Sequence, residues 1–179
     1  MKKQYLKKMM FAALFAALTA AVSPIKIPLG FTPVPITLQT LMVLLAGALL
    51  GANLGALSQA LYVLVGALGL PVFAGGGSGF GALFGPSGGF LFGFIAAAYV
   101  VGKIVEKVKK PGYLQLVIAM LIGSLVIYVF GVSGGLIATG LPLTQILVGW
   151  VLPFIIGDII KLVAASIIAY KFDMSRYLK

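Results

Sequence analysis

The chain has 179 residues, 61% of them hydrophobic and only 9% charged, with a mean hydropathy of +1.18. A soluble domain of this size carries about 25% charged residues, so a water-soluble globule is excluded and lipid must solvate much of the chain. The net charge of +10 does not mark a nucleic-acid binder, because the cations fall at the ends of apolar runs rather than on one patch.

Cysteine and histidine are both absent. That removes disulfides, thiol chemistry, the usual near-neutral general base and the commonest nitrogen metal ligand. No G-x-x-x-x-G-K-[ST] sequence occurs, so the chain has no P-loop for ATP hydrolysis.

Six apolar segments are predicted as helices, at about 6–23, 37–51, 54–69, 87–106, 113–131 and 144–170. The first follows Lys2, Lys3, Lys7 and Lys8 and ends in small residues, like a secretory signal. It is read as an uncleaved first span, since cleavage leaves only another apolar chain. Small residues recur at four-residue spacing along it, at Ala12, Ala16 and Ala20 and one position on at Ala13, Ala17 and Ala21. Such files permit close helix approach, within the chain or to a partner.

Residues 24–36 hold four prolines, Pro24, Pro28, Pro33 and Pro35, which exclude helix and favour an extended run. The second and third segments are shorter than the roughly 20 residues of a straight span and are split by an uncharged turn at 51–55. Short helices of this kind are expected where backbone is packed inside the protein. The connection 70–86 is glycine-rich, aromatic and uncharged, and is expected to fold back onto the helices. Its run Gly75-Gly76-Gly77-Ser78-Gly79 fits a dinucleotide fingerprint only weakly, because no strand precedes it. Glycine here is read as allowing close backbone approach to a ligand. The last connection, 132–143, is also uncharged.

Eleven of the thirteen cations lie in the N-terminus, the 103–112 connection and the C-terminus. With six spans, both termini are then expected in the cytoplasm, and the three unusual connections fall on the outer face as a lid over a cavity.

Asp158 and Lys161 stand inside the last apolar segment. Three residues apart, they share a helix face. A structural ion pair, a proton relay and a ligand site all fit such a pair. The ligand site is favoured, because intramembrane ionisable residues usually face a pathway and a relay with one carboxylate and no histidine is thin. Pro153 and Gly157 just before it are expected to bend the helix.

Four ordered stretches carry a resemblance: IPLGFTPVPITLQTL over 27–41, GLPVFAGG over 69–76, GPSGGF over 85–90 and GDIIK over 157–161. In these the chain resembles the BioY family, the biotin-specific S components of energy-coupling factor (ECF) transporters. It departs from the family pattern at Ser87, where relatives carry Thr, and at Ile156, where they carry Pro.

The resemblance implies an all-α integral membrane protein with six transmembrane helices and the S-component fold, its long outer loops capping the ligand site. It implies one membrane domain over 1–179 in a prokaryotic cell membrane, and a transport rather than an enzymatic role. It implies no cofactor, with biotin as the transported ligand, and as partners a membrane scaffold and two ATPase subunits. It places the scaffold contact on Ala12, Ala16 and Ala20.

Asp158 and Lys161 suit the ureido ring, whose N–H groups donate and whose carbonyl accepts; Lys161 suits the valerate carboxylate equally well. Thr37 and Gln39 offer neutral hydrogen bonds, Phe73 and Phe90 apolar walls, and Gly75 and Gly76 backbone contact. An S component for another vitamin, a membrane-integral enzyme and a purely structural subunit remain the alternatives.

Overall fold

A computed structural model describes residues 2–108 and 110–172. Of the cations in the charge map, Lys109, Arg176 and Lys179 lie outside the described residues.

The chain order is α1 (Lys2–Val22), β1 (Lys26–Ile27), β2 (Ile36–Thr37), α2 (Gln39–Leu50), α3 (Ala52–Ala67), a 3-10 turn (Ala74–Gly76), α4 (Phe80–Phe84), α5 (Gly88–Val105), α6 (Tyr113–Thr139), α7 (Leu143–Trp150), a second 3-10 turn (Leu152–Phe154) and α8 (Ile155–Lys171). Among the described residues, four helical stretches are long and apolar enough to cross a membrane: Gln4–Val22, Gly88–Val105, Tyr113–Thr139 and Leu143–Lys171. The apolar helices α2 and α3 are shorter, with 12 and 16 residues.

Two boundaries differ from the sequence reading, each for a physical reason. Helix α6 does not stop at 131 but runs to Thr139. Glycine and serine weaken a helix in water, but backbone groups in an apolar medium must bond within their own segment, so the helix continues through 132–139. It ends at Gly140, whose left-handed φ of 67° lets its N–H return to the Leu136 carbonyl. The expected long outer connection 132–143 therefore shrinks to 140–142. The sixth segment breaks near Trp150. Pro153 cannot donate an intrahelical hydrogen bond, and the chain passes through the 3-10 turn before restarting as α8.

The proline-rich run is extended, as its composition predicts, and closes a short antiparallel hairpin that pairs Lys26 with Thr37 and Ile27 with Ile36. Val34 folds inward and packs with Ile146, Trp150 and Phe154 of α7 and the following turn, with Leu29 and Ile36 against them, while Ile25, Ile27 and Phe31 stay exposed.

Helix α5 lies against α2, α3 and α6, at distances only glycine permits. A Cβ on Gly47 would stand 2.6 Å from the Ala98 carbonyl oxygen, and one on Gly102 would stand 2.2 Å from the Ala52 nitrogen. On the other side Gly89 of α5 meets Gly134 of α6 backbone to backbone. The sharp α2–α3 turn rests on Gly51, at φ 82°. The carboxylate of Glu106, at the end of α5, accepts the Ala52 N–H at 2.9 Å. This satisfies one orphan donor at the start of α3 and opposes the helix dipole.

A buried polar chain runs between α1, α3 and α2. The Thr19 hydroxyl donates to the Phe15 carbonyl at 2.8 Å, Gln59 donates to Thr19 at 3.3 Å, and the Ser23 and Tyr62 hydroxyls share a hydrogen bond of 3.0 Å.

The alanine files separate here. Ala12 is fully buried and Ala16 is 9% exposed, and Ala20 is half-buried, while Ala13, Ala17 and Ala21 are exposed. The partner contact expected at Ala12, Ala16 and Ala20 is thus taken up within the chain, where Ala16 and Ala20 pack with Val43, Tyr62 and Val63.

Gly102→Ala is expected to destabilise the protein by about 1–3 kcal/mol through overpacking of the α5 crossing. Gly149→Ala, with nothing within 4 Å of its added Cβ, should stay within about 0.5 kcal/mol of the parent. Thermal melting in detergent compares the two.

Candidate functional site

A cavity of about 140 Å³ opens between the hairpin, the 68–87 connection and the α5–α8 end of the bundle. An apolar cavity of roughly 150 Å³ admits benzene, so the enclosed part has the scale of a small ring system.

Its polar floor is built around Asp158 and Lys161, which form an ion pair one helical turn apart, with side chains 16% and 11% exposed. Three other elements complete it. The Tyr128 hydroxyl of α6 donates to Asp158 Oδ2. The Thr40 hydroxyl of α2 donates to Asp158 Oδ1 at 3.3 Å. Lys161 Nζ donates to the Thr37 carbonyl at 3.1 Å.

Counting donors and acceptors gives the chemistry. A carboxylate offers about four acceptor positions and an ammonium three protons. Three positions on Asp158 and two protons on Lys161 are engaged within the protein. One acceptor, on Asp158 Oδ2, and one donor, on Lys161 Nζ, are left by this count, the pair of functions that a cyclic amide or urea can use.

Gln39 is buried, at 4% exposure, and its amide is held on both sides: Nε2 donates to the Tyr62 hydroxyl at 2.6 Å and Oε1 accepts from Thr37 Oγ1 at 2.8 Å. It orients Thr37 and ties the site to the polar chain between α1 and α3.

The walls are largely aromatic, and the rings of Phe73, Phe90 and Trp150 are each seated on a glycine. A Cβ at Gly66 would stand 2.3 Å from the Phe73 ring, one at Gly131 would stand 2.3 Å from the Phe90 ring, and one at Gly135 would stand 2.1 Å from the Trp150 ring. The missing side chains on α3 and α6 are what allow these rings to lie back and leave the space between them open.

Of the residues singled out in the sequence, Thr37, Gln39, Phe73, Phe90, Asp158 and Lys161 line the cavity together. Gly75 and Gly76 do not; their neighbours Ala74 and Gly77 do. Gly75 and Gly76 have φ of 69° and 81°, and the Lys26 side chain lies where a Gly75 Cβ would be. Their small size serves the turn and its packing against the hairpin. Tyr128, Thr40 and Trp150 were not singled out. A hydroxyl inside the apolar run of α6 and the only tryptophan of the chain were the available signals.

Comparison with known proteins fits this geometry. The BioY family model matches residues 1–176. The chain belongs to the BioY family. The biotin transporter BioY of Thermotoga maritima is 42% identical over 169 residues, covering 94% of this chain and 95% of that protein. The biotin transporter BioY of Rhizobium etli is 41% identical over 149 residues, covering 79% of each. A solved structure, the S component for biotin from an ECF-type ABC transporter, superposes with a TM-score of 0.90 at 28% identity, covering 100% of this chain and 99% of that one. The chain therefore has the S-component fold, mostly helical and rich in apolar helices.

Gly135→Ala is expected to drive the Trp150 ring off its seat into the cavity. Trp150 is the only tryptophan and is 3% exposed, so its fluorescence should shift to the red, with a stability loss of about 1–3 kcal/mol. An unchanged spectrum would show that α6 yields instead of the ring.

Proposed function

We propose that the protein binds biotin with high affinity and serves its uptake across the cell membrane. The observation that carries this is the unused acceptor of Asp158 and the unused donor of Lys161, at the floor of an aromatic-walled cavity. The ureido ring presents the complementary N–H and carbonyl groups, so Asp158 accepts from the ring and Lys161 donates to it. Phe73, Phe90 and Trp150 enclose the fused rings. Thr37 and Gln39 hold the floor in register. Membership in a family with biotin transporters among its relatives supports both the ligand and a transport role rather than catalysis.

The chain acts as one membrane domain over its 179 residues, with six apolar stretches crossing or entering the bilayer. In the described part, Lys103, Lys107 and Lys110 flank the α5–α6 connection, and Tyr113 at the start of α6 meets Tyr170 near the end of α8, ring centres 6.1 Å apart. These ends, with Lys7, Lys8 and Lys171, gather cations on one side of the bundle, which supports cytoplasmic termini and a cavity open to the outside. Uptake is energised by a membrane scaffold and two ATPase subunits. The exposed file Ala13, Ala17 and Ala21 on α1 suits a close helix contact with that scaffold.

Isothermal titration of the purified protein is expected to show biotin binding, and no comparable binding of thiamine or riboflavin. Asp158→Asn and Lys161→Ala should each weaken it by about 10-fold or more, the loss expected for a hydrogen bond to a charged group. Unchanged affinity in both variants refutes the site, and a preference for another vitamin refutes the ligand.

A further inference from the structure

Lys26 is the one cation among the connections at 24–36, 70–86 and 132–143. Its ammonium has no hydrogen-bond or ion-pair partner among the described residues, and its exposed side chain lies against the glycine turn. Nζ, Cε and Cδ lie 2.2, 2.5 and 2.7 Å from where a Gly75 Cβ would stand. The stem thus crosses from the hairpin to the glycine turn, over a backbone position that only glycine leaves open. Both supports belong to the cavity rim. Gly75 lies between Ala74 and Gly77, which line the cavity. Lys26 is the hairpin partner of Thr37, and directly opposed residues of an antiparallel pair send their side chains to the same face. Thr37 lines the cavity as well.

The floor and the rim differ in charge balance. Lys161 is already neutralised by Asp158, and a second carboxylate brought there would meet the first as a like charge. Lys26 is exposed and not itself a lining residue, and it carries a positive charge, unpaired among the described residues, beside Thr37, Ala74 and Gly77, which do line the cavity. A ligand with a ring at the floor and an anionic tail therefore finds its counter-charge at the rim.

We propose that Lys26 is a specificity-determining residue that receives the carboxylate of the bound ligand across the mouth of the cavity, bridging the hairpin and the glycine turn as it does so. This rests on the biotin reading and sets its orientation, with the ureido ring at Asp158 and Lys161 and the valerate carboxylate at Lys26. It assigns to a lid residue the discrimination between the free acid and its neutral derivatives.

The test is isothermal titration of the full chain with biotin and with its methyl ester, which keeps the ring and chain but lacks the charge. Lys26→Ala is expected to weaken biotin about threefold to tenfold, within the range of partly exposed and charge-assisted contacts, and to leave the ester unchanged. Lys26→Arg should restore most of the biotin affinity. Lys26→Glu should weaken biotin further and not the ester, and the wild-type preference for the acid should shrink with added salt. Equal weakening of acid and ester in Lys26→Ala overturns the assignment in favour of a lid contact alone, and no change in either also overturns it. Wild-type protein that binds neither ligand overturns the biotin reading itself and this assignment with it.

Discussion

The ion pair between Asp158 and Lys161 is the constraint to which the rest of the site answers. Charges inside an apolar helix are costly, and removing one partner of a buried pair leaves the other uncompensated. Such a pair persists only where neighbouring elements satisfy it. Here α6 supplies the Tyr128 hydroxyl, α2 the Thr40 hydroxyl and the hairpin the Thr37 carbonyl. Elements far from α8 in sequence are thereby drawn to its first turns. The arrangement stops short of full satisfaction, and the proposed ligand site rests on the donor and acceptor that remain.

The second requirement is empty space, and the bundle obtains it with glycine. Between α5 and its neighbours, glycine lets backbones approach closely and makes the bundle tight. At Gly66, Gly131 and Gly135 the same residue does the reverse locally: it gives each aromatic ring a recess, so that Phe73, Phe90 and Trp150 form walls instead of plugs. Interiors are packed to near-crystalline density, so a cavity of this kind has to be built. The break at Pro153 contributes too, by ending α7 at Trp150, which lines the cavity together with Phe154 of the 3-10 turn.

How much of this was legible in the sequence depended on how local the signal was. The six apolar segments are local signals, and each became helix. Asp158 and Lys161 were legible because two charges in an apolar run have few bland explanations and their spacing fixes a common face. The end of α6 lies beyond the apolar segment read at 113–131 because lipid leaves the backbone of 132–139 no partner outside the helix. The two alanine files of α1 have the same spacing, so periodicity had nothing with which to choose between them; the packing of α2 and α3 decides that Ala12 and Ala16 turn inward. Tyr128 was silent because a tyrosine in an apolar helix looks like any other ring until Asp158 is placed opposite it. Gly75 was read as room for a ligand, but it makes room for Lys26, a contact no local pattern encodes.

The hairpin draws these threads together. With two residues in each strand, it is far below the size at which a two-stranded ribbon holds itself in water. Its order has to come from what it touches. Val34 anchors it on α7 and the turn after it, Lys161 holds the Thr37 carbonyl, and Lys26 lies across Gly75. Two of these three supports are cationic side chains that a bound ligand would also engage, one at the floor and one at the rim. Occupancy of the cavity and order of the lid therefore draw on the same contacts. A ligand that engages Lys161 and Lys26 together joins the hairpin to both the floor and the glycine turn, and one that reaches only the floor leaves the rim without its bridge.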